Sequence, residues 1–334
     1  MWSKDHNNQT LRCISCLFIV FLLLIAGIIV PISAANAALP ASNAVVLPYP
    51  EPEITAKSAL VMDRRTGKIL WSYKPNKKLA MASTAKMMTA ILALQYADPN
   101  EVIKVYPRDL VGGSTAYLRA GEKLTLTDLL KAALIPSGND AAVTIADYVG
   151  RKYLGGVGDN GIQVFVDEMN AKAHELGLDH TVFRTPNGFD APGQYSTALD
   201  LAKLGRELLD NPLLSSIVGT YRTRVIGHLG GKPVYHTLVS TNDLLPTYPG
   251  MQGIKTGTTP AAGENLVSYV KRGNIELIAV VLGSQDRFAD TRAILDWMFS
   301  SYSLAESILP ITSPTTAHVN YLQMYPYYLE ARGE

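Results

Sequence analysis

Met81-Ala82-Ser83-Thr84-Ala85-Lys86-Met87-Met88-Thr89-Ala90 opens an Ala/Met/Leu-rich run that continues through Leu94. The run reads as a buried helix with Ser83 on its first turn. Two side chains three apart on a helix share a face, so the Lys86 amine reaches the Ser83 hydroxyl. Unpaired N–H groups and a partial positive charge at the helix start lie beside that hydroxyl. A serine is a weak nucleophile until a neighbouring base activates it, and a lysine serves if its amine is neutral. Burial and nearby cations both lower a lysine pKa. The plain alternative is an N-capping serine followed by a solvated lysine. Ser-x-x-Lys occurs by chance roughly once in a chain of this size, and Ser268-Tyr269-Val270-Lys271 repeats the letters. That second copy sits in an alternating, strand-like run, where residues three apart point to opposite faces.

Outward from this helix, Ser58 to Met62 and Lys68 to Trp71 flank Asp63-Arg64-Arg65-Thr66-Gly67, a hairpin signature. Val102 to Val105 reads as a strand. A helix follows Leu124, with Thr127 or Asp128 near its cap, and Pro136 stops it. Ser137-Gly138-Asn139-Asp140 then connects to a second apolar helix, Ala141 to Val149, closed by Gly150. Ile162 to Leu176 has helical spacing. Thr185-Pro186-Asn187-Gly188 and Asp190-Ala191-Pro192-Gly193 form an ordered loop of successive turns. Ser196 or Thr197 caps a helix reaching Leu209. Tyr221 to Val239 reads as strands with glycine turns, Leu266 to Leu282 as a hairpin across Arg272-Gly273-Asn274, and Arg287 to Tyr302 as a last helix. Strands early and late with a helical cluster between them predict an α+β fold: a mostly antiparallel sheet flanked by helices, with Ser83 and Ser137 in the cluster.

Composition narrows the function. The chain has 334 residues, 30 Lys+Arg against 29 Asp+Glu and 47% hydrophobic residues, an ordinary globular balance that points to no nucleic acid. Cys13 and Cys16 are the two cysteines, so nothing after them forms a structural disulfide or a cysteine–metal site. His174 and His180, and His228 and His236, lack metal-ligand spacing; no metal and no cofactor is expected. Lys4 and Arg12 precede an apolar run from Cys13 to Ile32 and then Ala35-Asn36-Ala37, which reads as a secretory signal over residues 1–37 cleaved after Ala37. The alternative is an uncleaved anchor holding the protein to a membrane. Either way the expected site of action is outside the cytoplasm. Residues 38–55, with four prolines in the stretch 38–53, suit a linker. The globular part is expected at 56–302.

Two further motifs follow the first. Ser137-x-Asn139 is weak by itself, and Ser240-Thr241-Asn242 repeats it. Lys255-Thr256-Gly257, on a strand-like run, is expected by chance in only about one chain in ten. Their joint occurrence, in this order, on a helix start, a connector and a strand, resembles the penicillin-recognising serine enzymes. Ser137-Gly138-Asn139-Asp140, the stretch Asn187 to Ser196 and Lys255 to Gly263 narrow the resemblance to the low-molecular-weight D-alanyl-D-alanine carboxypeptidases. It covers about Ala56 to Tyr302.

The resemblance implies a β-lactamase/transpeptidase-like fold with an all-helical subdomain. It implies Ser83 as nucleophile on the D-Ala-D-Ala bond of peptidoglycan stem peptides and Lys86 as base. Ser137 would be the proton relay, and Asn139 would hold Lys86 and the substrate amide. Lys255 would supply positive field. Thr256, Gly257 and Thr258 would bind substrate, the two threonines through its carboxylate, with Arg287 as a candidate assistant. Backbone N–H groups of Ser83 and Thr258 would form an oxyanion hole. β-Lactam antibiotics would be covalent inhibitors. A β-lactamase would need a deacylating base, and Glu207-x-x-x-Asn211, which has the letters of one, reads as coincidence at the end of an amphipathic helix. A penicillin-binding scaffold with little turnover is the other alternative. Residues 303–334 are too few for the second β domain that many such enzymes carry, and a tail is expected there.

Overall fold

The computed structural model describes residues 50–308. The expected leader at 1–37, most of the expected linker at 38–55 and residues 309–334 of the expected tail lie outside the described residues.

The expected first hairpin is present. Strands β1 (Ser58–Asp63) and β2 (Ile69–Tyr73) pair antiparallel, and Asp63 Oδ1 closes the turn by accepting from Thr66 N at 2.7 Å and Thr66 Oγ1 at 2.8 Å. β7 (Met251–Thr259), β8 (Gly263–Arg272) and β9 (Ile275–Ser284) complete an antiparallel sheet of order β2-β1-β9-β8-β7. Successive side chains of a strand point to opposite faces, and both faces are apolar. Leu60, Met62, Ile278, Val280 and Leu282 belong to one core cluster. Their neighbours Ala59, Val61, Leu277, Ala279 and Val281 belong to another, closed by Ile294, Leu295 and Met298 of the last helix, α7 (Arg287–Ile308). Helices therefore cover both faces, and β7 is left as an edge strand beside the helical cluster.

That cluster contains α1 (Lys86–Tyr96), α2 (Leu126–Leu134), α3 (Asn139–Tyr153) and α4 (Gly161–Glu175), with α5 (Ala198–Asp210) between it and the sheet. α3 is buried from Asn139 through Gly150 except at Tyr148. The last helix ends at Ile308 rather than at Tyr302, and two other boundaries differ from the sequence reading for a visible reason. The cap of α2 is Thr125, whose Oγ1 accepts from Asp128 N at 3.1 Å, so the helix starts earlier than Thr127. α3 does not stop at Gly150 but runs to Tyr153. A Cβ on Gly150 would overlap the Gly161 carbonyl, so the glycine serves close approach of α3 and α4 rather than termination. Gly150→Ala is therefore expected to destabilise by about 1–3 kcal/mol through overpacking. The check is a lower denaturant midpoint with an unchanged rate of penicillin labelling of the folded protein.

The stretch between Leu209 and Tyr221 holds a further helix, α6 (Pro212–Val218): Asn211 Oδ1 accepts from Leu213 N and Leu214 N, and Pro212 sits at the first helical position. The structure also adds a second antiparallel sheet of order β3-β4-β5-β6, from Val102–Lys104, Lys123–Thr125, Arg222–Leu229 and Lys232–Val239. Ile103, Leu124, Val225 and Leu238 pack it on the same core cluster as the helices. Among the described residues no helix is long and apolar enough to cross a membrane.

Candidate active site

The Ser83 turn is a short 3-10 helix, Ala82–Ala85, running directly into α1, so Lys86 is the first α-helical residue. Ala82 has φ +49°, a left-handed conformation that costs about 1–2 kcal/mol for a residue other than glycine. Surrounding contacts impose it. Thr84 Oγ1 donates to Met81 O at 2.7 Å, and Asn265 Nδ2, from β8, donates to Ala80 O at 3.0 Å. Gly257 of β7 presses against the same turn: a Cβ there would lie 3.0 Å from Ser83 N and 3.2 Å from Met81 O. From the other side Gly188 (φ +85°) approaches so closely that a Cβ would overlap the Ala82 carbonyl.

Lys86 is fully buried, and its Nζ lies 2.8 Å from Ser83 Oγ, 2.7 Å from Asn139 Oδ1 and 2.7 Å from Asn187 O. A neutral amine has two N–H groups and one lone pair. The two obligate acceptors, Asn139 Oδ1 and Asn187 O, take the N–H groups, and the lone pair is left for the Ser83 hydroxyl proton. The surroundings shift the amine toward that form. Burial pushes the Lys86 pKa well below its ordinary value, the Lys255 charge pushes it the same way, and Asp140 opposes them. Lys255 is itself buried and lowered to about 7, by desolvation first and by Arg287 second.

Asn139 begins α3. Its Nδ2 donates to Gly112 O at 2.8 Å while Oδ1 holds Lys86, which leaves one lone pair of Oδ1 for a substrate N–H. Ser137 stands two residues earlier on the connector, buried and at φ +64°. The connector has no slack. A Cβ on Gly138 would lie 2.7 Å from Ala132 O and 2.9 Å from Asp140 Oδ1, so glycine is required between the two site residues. Asp140 ties the facing loop by accepting from Ala116 N at 3.0 Å, Leu118 N at 3.1 Å and Thr115 Oγ1 at 2.5 Å.

On β7, Lys255 Nζ donates to Thr256 O at 3.0 Å, and Arg287 Nη1 donates to Thr258 Oγ1 at 2.5 Å and Gly257 O at 3.1 Å. Arg287 thus stands with the Lys-Thr-Gly strand. Arg292 reaches Thr247 instead. The repeat of the second motif is also drawn in: Thr241 Oγ1 lies 2.5 Å from Thr256 Oγ1, and Thr241 N donates to Ile135 O at 3.2 Å. Sequence reading set Thr241 aside and gave Asn187 no role. Asn187 acts through its backbone carbonyl, and the only hint was its position in an Asn-Gly turn. Thr89 Oγ1, bonded to Pro186 O at 2.6 Å, holds that turn against α1. Glu207 lines a cavity of about 590 Å³ with Thr66, Lys203, Arg206 and Asp210, and none of the cavity's residues belongs to the Ser83 group. Among the described residues no group of His, Cys, Asp or Glu is placed to hold a metal ion.

The buried Lys255 amine on β7 makes stability depend on pH. Between about 7 and 10.5 the unfolded chain binds a proton on Lys255 that the folded chain releases, so the stability this residue permits falls as pH drops through that window and is level below it. Relative to Lys255→Met, the wild type is expected to lose stability steadily as pH falls toward 7. Denaturant titrations of both proteins across that range check it, and parallel curves would contradict the assignment.

A family model described as D-alanyl-D-alanine carboxypeptidase matches residues 45–286. The chain is 37% identical over 256 residues to D-alanyl-D-alanine carboxypeptidase DacF of Bacillus subtilis, covering 74% of this chain and 63% of that protein. It is 31% identical over 283 residues to D-alanyl-D-alanine carboxypeptidase DacC of Escherichia coli, covering 80% and 67%. The crystal structure of a Streptomyces DD-transpeptidase matches with a TM-score of 0.70 at 29% identity, over 75% of this chain and all of that one. The chain thus spans less than two thirds of the Bacillus relative's length.

Proposed function

Because the chain belongs to the D-alanyl-D-alanine carboxypeptidase family, we propose that it is a serine hydrolase that removes the terminal D-alanine from peptidoglycan stem peptides. The observation that carries this reading is the buried Lys86 amine, held by Asn139 and Asn187 with its remaining valence on Ser83 Oγ. Ser83 Oγ attacks the carbonyl carbon of the D-Ala-D-Ala bond as its proton passes to Lys86 Nζ. The oxyanion formed is met by the Ser83 and Thr258 N–H groups. Donors of that kind are worth about 3 kcal/mol each in comparable sites. The C–N bond then breaks, Ser137 passes the proton from Lys86 to the departing amine, and D-alanine leaves an ester on Ser83. Water attacks the ester with the same amine as base, which regenerates the serine.

Thr256, Thr258, Lys255 and Arg287 supply hydroxyls and positive charge for the terminal carboxylate. The catalytic domain spans 56–302 on this reading. Export by residues 1–37, action on the outer side of the cytoplasmic membrane and inhibition by β-lactams complete it. A β-lactamase reading loses its candidate base, since Glu207 lines a separate cavity. A slow penicilloyl ester on Ser83 follows.

The test has two arms. A D-Ala-D-Ala peptide should release D-alanine, and peptide mapping after treatment with labelled penicillin should place the adduct on the peptide that contains Ser83. Labelling without D-alanine release would favour a scaffold. An adduct elsewhere, or none, would end the assignment.

A further inference from the structure

The β3–β4–β5–β6 sheet turns one face onto the helical cluster through Ile103, Leu124, Val225 and Leu238. Its register determines what the opposite face carries. Residues directly opposite in an antiparallel ladder share a face. Lys104 pairs with Lys123 and Lys123 with His228; Arg222 pairs with Val239, Arg224 with Thr237 and Ile226 with Tyr235. All of these residues are exposed.

Four Lys/Arg side chains therefore share this face, and none of its strand positions is Asp or Glu, in a chain with 30 Lys+Arg against 29 Asp+Glu. Overall composition does not produce such a segregation. Stability does not favour it either, since like charges directly opposite, such as Lys104 and Lys123, destabilise a ladder. Set among the cations are exposed apolar groups: Ile226 is 45% exposed, Tyr235 61% and Val239 38%. The Arg224 guanidinium lies 5.9 Å from the Tyr235 ring centroid, which holds cation and aromatic on the same patch.

A soluble polyanion without rings, such as a glycerol-phosphate polymer, calls for cations alone. Aromatic and aliphatic side chains interleaved with Lys and Arg match a bilayer boundary, where rings sit at headgroup level and cations meet anionic headgroups. We infer that this sheet face docks on an anionic phospholipid surface. Docking would also orient the cleft. β6 leads straight into Thr241, which is bonded to Thr256 beside Lys255, so the face and the site are joined by two residues of chain.

The test uses the full chain with a photocrosslinking benzoylphenylalanine in place of Tyr235 or, as a reference outside this sheet, of Val157, which is 74% exposed. Each protein is mixed with vesicles of phosphatidylcholine or of phosphatidylcholine with phosphatidylglycerol. Position 235 should give lipid adducts on the order of tenfold more often than position 157, and only with the anionic vesicles. Arg222→Glu/Arg224→Glu should cut those adducts by a similar factor while D-alanine release persists. Should that variant fail to fold, the parent protein carries the test alone, its adducts falling with added salt. Equal labelling at 235 and 157, or labelling indifferent to lipid charge, would overturn the inference. So would preferential labelling of an added glycerol-phosphate polymer. The readout is a lipid adduct, so it stands or falls separately from the proposed peptidase activity.

Discussion

Lys86→Met is expected to slow acylation of Ser83 by labelled penicillin on the order of 10⁴-fold, with Lys86→Arg equally inactive. Methionine nearly conserves the buried volume but removes the lone pair that receives the Ser83 proton. Arginine keeps the charge and cannot give up a proton at any working pH. The pair of variants separates a base from a structural cation: a lysine needed only for its charge would tolerate arginine better than methionine. Stability should move less than activity. Lys86→Met leaves Asn139 Oδ1 and Asn187 O without their donor, which destabilises, but it also removes an amine whose charged form burial disfavours. The rate of penicillin incorporation by folded protein is the measurement, and acylation by Lys86→Arg at a rate near wild type would sink the base assignment.

Gly188→Ala is expected to lower turnover on the order of 100-fold and to destabilise the fold as well, whereas Gly193→Ala, five residues on, should do little beyond a small loss of stability. Both glycines have positive φ, +85° and +76°, so an added Cβ meets a similar backbone penalty at each. Space separates them. At 193 the nearest neighbour is the Arg184 side chain at 3.7 Å, an ordinary contact. At 188 the added carbon runs into the Ala82 carbonyl and lies 2.9 Å from Ser83 N, so either the 185–193 loop or the nucleophile turn must shift. Either shift moves a partner of the reaction: the loop carries Asn187 O, which holds Lys86, and the turn carries Ser83. Comparing D-alanine release and denaturant midpoints of the two variants checks this. Equal activities would mean that the loop is not part of the site.

Where sequence and structure agree on the site, the geometry is carried by side chains within one element. Ser83 and Lys86 are three apart at a helix start, and Lys255-Thr256-Gly257 lies together on one strand, β7. The rest depended on contacts between distant parts of the chain. Asn187 contributes a carbonyl, which every residue has, so no side-chain pattern marks it. Thr241 looked like the spare copy of a motif because nothing local shows that β6 ends against Thr256. The second sheet joins Lys123 to His228 across more than a hundred residues, a pairing no local period encodes. Gly150 misled for a related reason: a glycine reads as a helix stop, and only the neighbouring helix shows that it is a packing residue.

For Ser83-Thr84-Ala85-Lys86 itself, the sequence alone established the pairing of a hydroxyl with an amine, the order of the three motifs and the α+β alternation. These follow from short-range periodicity, which is a property of the chain. Only the tertiary structure decided that the amine's proton affinity is lowered and that its N–H groups are aimed. Desolvation is the largest cause of its lowered pKa, Lys255 comes from a strand about 170 residues away, and the two acceptors that orient it come from α3 and the 185–193 loop. A lysine's proton affinity is set by what surrounds it, and that is assembled only when the chain folds.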